Sequence, residues 1–324
     1  MIRDPDIDMA ALHGRTVAII GFGNQGRAQA LNLRESGIAV RIGLRAGSSS
    51  EAEVRAAGLD VLTLRQAAGG ADVVMLLAPD ERLSAIHDEI APALKPGAAL
   101  GFSHGLAIHF GLIHPRADLD VFMIAPKGPG TALRSLYEQG RGMVALAAVA
   151  QDATGQAWPL ALAYAKALGC GRAGLIRSTF EEECVADLFN EGAVVWGAVP
   201  QILQAGFETL VQAGIQPEIA YLECVSELKL LAELIEARGI AGTAEAISNT
   251  AEFGALRGGP RVIDPGVRAA MADVLEEVRS GNFVEALSAE ANGDYPELRD
   301  SRQRARASGI EAVRRRLTSP SDPV

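Results

Sequence analysis

The stretch TVAIIGFGNQGRAQALNL, residues 16–33, joins a short apolar run to three glycines and a polar segment of helical spacing. The run TVAII is β-branched and ends at a glycine, which is typical of a buried strand. The segment from Asn24 repeats its apolar residues every three or four positions, which predicts a helix. A strand, a glycine turn and a helix in this order predict the first unit of an alternating α/β fold.

The glycine turn lies where this strand meets the helix. Gly21 permits a tight turn, Gly23 lets the backbone approach a pyrophosphate, and Gly26 lets the helix pack closely on the strand. An anion would then lie at the helix N-terminus. A purely structural turn is the alternative, but strand, turn and helix all stand where a dinucleotide site requires them. We therefore predict a dinucleotide-binding site.

The end of the second predicted strand discriminates between the nicotinamide cofactors. NAD-binding proteins usually end it with Asp or Glu, whereas this chain reads RIGLRAGSSS with no carboxylate before Glu51. Arg45, Ser48 and Ser50 offer a guanidinium and hydroxyls to a 2′-phosphate, so NADPH is predicted, against the alternative of a solvated polar loop. The predicted dinucleotide contacts are Gly21, Phe22, Gly23, Asn24, Gln25, Gly26, Arg45, Ser48, Ser50, Asp80 and Gly130.

The alternation of strand and helix continues through the first half of the chain. It predicts a doubly wound, parallel sheet with helices on both faces, as in a Rossmann domain. After about residue 180 strands vanish and apolar residues recur at helical spacing, so the second domain is predicted to be all helical. The further predicted strands lie at 38–43, 72–78, 98–104, 120–126 and 143–149.

These patterns set predicted boundaries. We predict a Rossmann domain over 1–180, a helical domain over 181–318 and a disordered tail over 319–324. Pro200 is predicted to bend or interrupt the first long helix of the second domain. Predicted helix ends in that domain are marked by Gly214, Gly239 and Gly254.

Composition excludes several classes of partner. A net charge of −10 and a pI near 5.1 argue against a nucleic-acid-binding surface. No run approaches the ~18 apolar residues of a membrane span, and the charged N-terminus lacks the apolar core of a secretory signal. The three cysteines have no metal-like spacing, and their odd number suits a reducing interior. A cytoplasmic enzyme is the resulting expectation.

Two polar residues follow predicted strands in glycine-rich loops. His104 lies in GFSHGLAIHFG and Lys127 in IAPKGPG, each just past a strand. The carboxyl ends of parallel strands are where ligands of this architecture bind, so both are candidate active-site residues. His109 and His114 lie in an apolar helical context and fit a packing role at least as well.

Acidic pairs mark two predicted helices. Asp187 with Glu191, and Glu223 with Glu227, are each four residues apart and therefore share a helix face. With Glu181–Glu183 nearby, they form a density of acid that few basic residues offset. The pairs are either a solvated face or oxygen ligands for divalent cations such as Mg²⁺.

Taken together, the chain resembles the short-form ketol-acid reductoisomerases of branched-chain amino-acid biosynthesis over nearly its whole length. The resembling stretches are GFGNQG, GLRAGSSS, APDE, GFSHGLAIHFG, VFMIAPKGPG, DLFNE, AGFETLVQAG, ECVSELKL, ISNTAEFG and GPRVI. The resemblance implies a deeply knotted helical domain and a homodimer or larger assembly, in which a partner subunit's helices complete the site.

The resemblance also implies roles for individual residues. Ser248 is expected to contact the substrate carboxylate, and His104 and Lys127 to line the reaction site together with Glu191 as catalytic residues. The implied reaction moves an alkyl group within a 2-hydroxy-3-keto acid such as 2-acetolactate, and NADPH then reduces the product to a 2,3-dihydroxy acid. The implied ligands of two Mg²⁺ ions are Asp187, Glu191, Glu223 and Glu227.

The chain departs from the family pattern beside the acidic residues. Gly192 stands where the family carries glutamine, and Trp196 and Pro200 are introduced in the following stretch. The metal ligands are intact, but the wall around them differs, which indicates a changed pocket shape. Two alternatives therefore stay open: a paralogue that reduces a different 2-keto or hydroxy acid, and a non-catalytic NADPH-binding protein.

Overall fold

The first part of the chain is built around one eight-stranded sheet. The computed structural model describes residues 1–318, so the tail predicted over 319–324 lies outside the described residues. The strands are β1 (Thr16–Ile20), β2 (Ala39–Leu44), β3 (Val61–Thr63), β4 (Val73–Leu76), β5 (Ala99–Phe102), β6 (Asp120–Pro126), β7 (Ala145–Gln151) and β8 (Leu175–Arg177).

The strand order is β3-β2-β1-β4-β5-β6-β7-β8. The predicted parallel pairing is confirmed for all neighbours except β6 and β7, which run antiparallel. Periodicity reports burial and not direction, so the sequence could not distinguish this reversed strand. The order reverses between β1 and β4, and the crevice beyond the carboxyl ends of such strands is where α/β proteins bind ligands.

Helices cover both faces of the sheet, and the core is accordingly divided into two layers. Ile19 packs in one apolar cluster and Ile20 in the other, because successive side chains of a strand point to opposite faces. The helices of this part are α1 (Asn24–Glu35), α2 (Glu51–Ala56), α3 (Leu64–Gly69), α4 (Asp80–Ile90), α5 (Leu106–His109), α6 (Gly130–Glu138) and α7 (Ala157–Ala167).

The chain divides into a sheet unit, Met1–Ala186, and a helical unit that begins at Asp187. The predicted change from mixed structure to helices alone is confirmed within the described residues, and none of the described helices is both long and apolar enough to cross a membrane. The remaining helices are α8 (Phe180–Phe189), α9 (Ala198–Gln212), α10 (Pro217–Tyr221), α11 (Leu228–Ala246), α12 (Asn249–Val262), α13 (Pro265–Arg279), α14 (Asn282–Asn292), α15 (Pro296–Ala307) and α16 (Gly309–Thr318).

Two π-helical turns interrupt the helices that carry the acidic pairs. The first, Asn190–Val194, continues α8, and the second, Leu222–Ser226, joins α10 to α11. The predicted interruption near Pro200 lies at residues 195–197, and Pro200 itself stands in the first turn of α9, where its missing N–H would be unsatisfied in any case.

The glycines predicted as helix ends behave differently from one another. Gly214 follows α9 with φ of +89°, and Gly239 has φ of +70° at a kink inside α11. The prediction for Gly254 is wrong, because this residue lies inside α12. A helix tolerates an isolated glycine at a cost of about 1 kcal/mol, so glycine alone does not mark an end.

Candidate functional site

The glycine turn after β1 is shaped by close backbone approaches. Gly21 has φ of +99°, and a Cβ there would lie 2.6 Å from the carbonyl oxygen of Leu77. A Cβ at Gly26 would lie 2.5 Å from the carbonyl oxygen of Gly21. Gly23, which caps α1, faces open space, and a Cβ there would meet no heavy atom within 4 Å. The turn is therefore closed on its protein side and open where the helix N-terminus could receive an anion.

A pocket of about 320 Å³ lies beside this turn. Arg27 and Glu53 line this pocket, although neither was predicted as a cofactor contact. For Arg27 a signal was present, because it follows Asn24 by three residues, and helical spacing places Asn24 and Arg27 on one face of α1. Its lining residues are Phe22, Gly23, Asn24, Arg27, Ala28, Ser50, Glu53, Gly130 and Thr131.

The other predicted cofactor residues have different surroundings. Arg45 and Ser48 lie on the loop between β2 and α2, where the Ser48 hydroxyl accepts the N–H of Ser50 at 3.3 Å. Asp80 is the first residue of α4. Gln25 donates from Nε2 to the carbonyl oxygen of Gly128 at 2.9 Å, so its amide ties the turn to the loop that follows β6.

A buried carboxylate gathers the two polar residues that follow β5 and β6. Glu183 on α8 has a side chain only 1% exposed. Its Oε2 accepts from His104 Nδ1 at 2.9 Å and from the backbone N–H of Gly105 at 2.8 Å, and its Oε1 accepts from Lys127 Nζ at 3.0 Å. Because β5 and β6 are adjacent and parallel, His104 and Lys127 emerge at the same sheet edge. We call His104, Lys127 and Glu183 the Glu183 cluster.

The electrostatics of this cluster favour an ionised carboxylate. Burial on its own raises the pKa of Glu183, but the hydrogen bond from His104 and the positive charges of His104 and Lys127 outweigh that effect. The pKa of Glu183 is therefore lowered from its ordinary value. An ionised Glu183 accepts hydrogen bonds only, so the imidazole nitrogen that faces it, Nδ1, carries a proton.

Close packing holds α8 against the end of β5. A Cβ at Gly105 would lie 2.1 Å from the carbonyl oxygen of Phe180, so only glycine allows this approach. The rings of Phe102 and Phe180 meet edge to face with centroids 6.0 Å apart. Thr179 directly precedes the first residue of α8, and its Oγ1 accepts the N–H of Glu182 at 3.0 Å. These contacts fix the direction in which Glu183 points.

Sequence reasoning counted Glu183 among the uncompensated acids and missed its role. A signal was present, because the buried residues Phe180, Glu183, Cys184 and Leu188 recur at helical spacing and form one stripe. An acid inside an otherwise apolar stripe must be paired to be buried. The pairing partners, His104 and Lys127, are far away in sequence and could not be identified from periodicity.

The acidic pairs occupy unusual backbone positions. Asp187 follows Glu183 by one turn of α8, and ligand atoms of His104, Glu183 and Asp187 all lie within 4.8 Å of one another. Glu191 lies in the first π-turn, and Glu223 lies in the second. Such turns are rare and are frequent at functional sites.

Glu227 directly precedes α11. Among residues 1–318, Glu191, Glu223 and Glu227 do not belong to any group of three or more closely spaced metal-ligand side chains. Of the four predicted metal ligands, Asp187 alone therefore lies in such a group, beside His104 and Glu183, and the four are not gathered into one group within residues 1–318.

The remaining predicted residues have local structural roles. Ser248 caps α12, and its Oγ accepts the N–H of Ala251 at 3.2 Å. The ring of His109 packs edge to face on Phe110 with centroids 4.5 Å apart, which agrees with a packing histidine. Gly192 faces Val274 of α13, whose Cγ1 would lie 3.3 Å from a Cβ. A glutamine at this position would therefore press on α13.

Comparison with known proteins identifies relatives along the whole chain. Residues 11–174 match the family model described as the acetohydroxy acid isomeroreductase NADPH-binding domain, and residues 180–321 match the ketol-acid reductoisomerase C-terminal domain. The ketol-acid reductoisomerase (NADP(+)) of Beutenbergia cavernae is 49% identical over 318 residues, which cover 98% of this chain and 93% of the relative.

Solved structures agree with these sequence matches. The structure of an NADH-preferring ketol-acid reductoisomerase from an uncultured archean has a TM-score of 0.95 and 41% identity, covering 98% of this chain and 97% of the other. A semialdehyde dehydrogenase NAD-binding protein from Cupriavidus necator has a TM-score of 0.62 at 21% identity, over 82% of this chain and 99% of the other. The second likeness indicates a shared fold alone.

Proposed function

Because the chain belongs to the ketol-acid reductoisomerase family, we propose that it converts a 2-hydroxy-3-keto acid of the 2-acetolactate type into a 2,3-dihydroxy acid, with Mg²⁺ and NADPH, in branched-chain amino-acid biosynthesis. The observation that carries the proposal is the Glu183 cluster. It holds a histidine and a lysine at the carboxyl edge of the sheet, where the first acidic pair also begins. The cytoplasmic location stays a prediction.

The chemistry of the donor set fits magnesium. Asp187, Glu191, Glu223 and Glu227 supply carboxylate oxygens, which Mg²⁺ prefers, and none of the four is a buried residue. We propose that they hold two Mg²⁺ ions, with one pair from each of two subunits. Bound Mg²⁺ would polarise the oxygens of the substrate and stabilise the negative charge that develops on them.

The pocket beside the glycine turn fits a dinucleotide. Gly23 leaves open space at the N-terminus of α1, and Arg27 brings a cation to the same pocket. We propose that this pocket receives the pyrophosphate, and that Arg45, Ser48 and Ser50 contact the 2′-phosphate of NADPH. Bound NADPH would supply the hydride that reduces the ketone formed by alkyl migration.

The chain's own side chains would manage protons and orientation. His104 keeps its Nδ1 on Glu183, so Nε2 is the nitrogen that exchanges a proton with a substrate oxygen. Lys127 brings a positive charge to the same sheet edge and would stabilise a substrate alkoxide. We propose that the Ser248 hydroxyl binds the substrate carboxylate, and that Glu191 takes part in catalysis as well as in metal binding.

A second copy of this chain is proposed to complete the site. The helical unit exposes many large apolar side chains, with Trp196 at 68%, Ile240 at 79% and Leu256 at 70%. Soluble monomers rarely leave such surface in contact with water, so we propose that another helical unit covers it in a homodimer or larger assembly. The knotted threading that the resemblance implies stays a prediction. Further exposed apolar residues of this unit are Val195, Ile202, Leu230, Leu231, Phe253 and Val262.

The proposed reaction is tested by product analysis. The protein is incubated with NADPH and 2-acetolactate, with and without Mg²⁺, and in parallel with 3-hydroxypyruvate. A 2,3-dihydroxy acid formed only with Mg²⁺ supports the proposal. Turnover of 3-hydroxypyruvate alone would replace it by the reductase alternative, and NADPH binding without turnover of either compound by the non-catalytic one.

A matched pair of variants separates metal binding from cofactor binding. Glu227→Gln is expected to abolish the isomerisation while NADPH still binds, because the acids and the glycine turn belong to separate elements. Glu233→Gln is the control, since Glu233 is an exposed glutamate on α11 that pairs only loosely with Lys229, at 3.9 Å. Equal loss of NADPH binding in Glu227→Gln would contradict the assignment.

A further inference from the structure

A fully buried glutamine lies at the centre of a hydrogen-bond network in the sheet unit. The side chain of Gln29 on α1 and that of Tyr164 on α7 are both 0% exposed. Tyr164 donates its hydroxyl to Gln29 Oε1 at 2.6 Å, and Gln29 Nε2 donates to Ser103 Oγ at 2.8 Å and to Gln25 Oε1 at 3.2 Å. Both protons of the Gln29 amide nitrogen are thereby used.

The network ends beside the two candidate active-site residues. Ser103 directly precedes His104 at the end of β5. Gln25 passes the network on by donating to the carbonyl oxygen of Gly128 at 2.9 Å, and Gly128 directly follows Lys127. One side chain therefore links the helix of the glycine turn to the loops after β5 and β6.

Tyr164 anchors this network in a fixed position. Tyr164 is packed edge to face on Phe122 of β6, with ring centroids 5.7 Å apart. Burial raises the pKa of Tyr164 well above its ordinary value, and the nearby Cys170 adds to that effect, so the hydroxyl keeps its proton at neutral pH. A permanent donor on a fixed ring holds the Gln29 amide in one orientation.

We propose that Gln29 is a positioning residue for the reaction. Through Ser103 and Gln25, its amide fixes the loops that carry His104 and Lys127 relative to each other and to the dinucleotide turn. This inference rests on the proposed function for its activity readout. The competing interpretation is that Gln29 is a satisfied core amide whose loss lowers stability and leaves catalysis unchanged.

Loss of the Gln29 amide is expected to lower activity by displacing the loops that follow β5 and β6. A reacting group displaced by about 1 Å can lower a rate about 100-fold, so small shifts of two adjacent loops are enough. The glycine turn has backbone hydrogen bonds that do not involve Gln29, since the N–H of Gly21 donates to the carbonyl oxygen of Gly43 at 3.0 Å and the N–H of Arg27 to that of Gly23 at 2.9 Å. Loss of the amide should therefore lower turnover more than dinucleotide affinity.

Three variants test the proposal. Gln29→Leu removes the whole amide at similar volume, and Tyr164→Phe removes only the hydroxyl that orients it. Tyr137→Phe is the matched control, because the Tyr137 hydroxyl makes a bond of 2.8 Å to Ser36 Oγ in the same unit, whereas the Gln29 amide bonds to Gln25 and Ser103. For each variant we would measure kcat and KM with 2-acetolactate, the Kd for NADPH, the Tm, and a crystal structure.

We expect Gln29→Leu to lower kcat at least tenfold at a temperature well below its Tm, and Tyr164→Phe by a smaller factor, on the order of threefold. The Kd for NADPH should stay within threefold, and Tyr137→Phe should keep the wild-type kcat. Crystals of Gln29→Leu or Tyr164→Phe should show Ser103 and Gly128 displaced from their wild-type positions.

A wild-type kcat in folded Gln29→Leu and Tyr164→Phe, with both loops in place, would overturn the proposal. If Gln29→Leu does not fold, Tyr164→Phe alone decides the question. If the wild type does not turn over 2-acetolactate, the proposed function fails by itself, and the loop positions in the variant crystals still decide whether Gln29 positions these residues.

Discussion

The substitution Glu183→Gln removes a negative charge from the sheet unit and leaves its shape almost unchanged. In the wild type, Glu183 accepts hydrogen bonds from His104, from Lys127 and from the backbone of Gly105. A glutamine amide has one oxygen, so it can accept on one side and must present donors on the other. In Glu183→Gln, the amide NH2 group would therefore face one of the N–H donors that the carboxylate accepts in the wild type.

The expected magnitude follows from the exposure of each partner. A hydrogen bond to a charged group contributes about 1.5–3 kcal/mol. The His104 side chain is 17% exposed and keeps most of that value, whereas the Lys127 side chain is 34% exposed and its contribution is reduced by solvent screening. We expect the free energy of unfolding to fall by about 3 kcal/mol, and kcat to fall about 100-fold because His104 loses the group that orients it.

The assay combines denaturant unfolding with NADPH oxidation in the presence of 2-acetolactate and Mg²⁺. Glu182→Gln is the matched control, since Glu182 is the adjacent residue, is exposed, and accepts a hydrogen bond from the Ser178 hydroxyl at 2.7 Å on the outer face of α8. If the two variants lose the same stability and the same turnover, Glu183 does not organise the site.

The difference in the free energy of unfolding between wild type and Glu183→Gln should depend on pH in one direction. The pKa of Glu183 is lower in the folded protein than in the unfolded chain. In the unfolded chain a glutamate has its unperturbed pKa of about 4.3. The carboxylate's contribution to stability is therefore present in full above the unfolded pKa and is lost as the pH falls through the folded pKa. The stability difference between wild type and Glu183→Gln should be present in full at about pH 5 and should shrink as the pH falls below about pH 4.

Three further predictions concern two substitutions and the reactivity of one cysteine. Gly105→Ala should lower the free energy of unfolding by about 2 kcal/mol, measured by denaturant titration, because its Cβ would lie 2.1 Å from the Phe180 carbonyl oxygen. Burial raises the pKa of the Cys170 thiol to about 12, so Cys170 should resist a thiol reagent at pH 8 until the protein is unfolded, as mapped by mass spectrometry. Arg45→Ala should raise the KM for NADPH about tenfold and leave the KM for NADH within twofold, and equal changes would contradict a 2′-phosphate contact.

The fold was largely predictable because its signals are local. Strand β1, the glycine turn and the start of α1 follow from adjacent residues, and the structure confirms each of them. Strands β3 and β8 were not predicted, since each has only three residues and no room for a periodic pattern. Strand β7 was predicted at 143–149, but its antiparallel direction was not, because burial patterns carry no information on strand direction.

The site was predictable only in its separate parts. His104 and Lys127 were identified from their places after two strands, and the sheet brings both to one edge. Their common partner was not identified, because a carboxylate and its cations are joined by tertiary packing and not by spacing. The π-turns that carry Glu191 and Glu223 were also not expected, since a pattern of apolar residues does not distinguish α from π turns.

The position of Glu183 changes the argument for a metal site. From sequence, the acids around Asp187 formed one uncompensated group, and their excess charge was the reason to expect divalent cations. The structure removes Glu183 from that excess, because His104 and Lys127 already neutralise it. Glu181 and Glu182 lie exposed in the first turn of α8, where the helix dipole favours negative charge.

Asp187 and Glu191 lie beyond the first turn of α8, so the helix dipole does not explain why two acidic residues stand there. Asp187 lies next to a carboxylate that already accepts hydrogen bonds from His104 and from the Lys127 ammonium, so an ion bound at Asp187 would lie near that positive charge. Such a neighbourhood repels a divalent cation unless further carboxylates join it. This charge balance is the physical reason for our proposal that Glu223 and Glu227 of a second subunit join Asp187 and Glu191 in holding the metal.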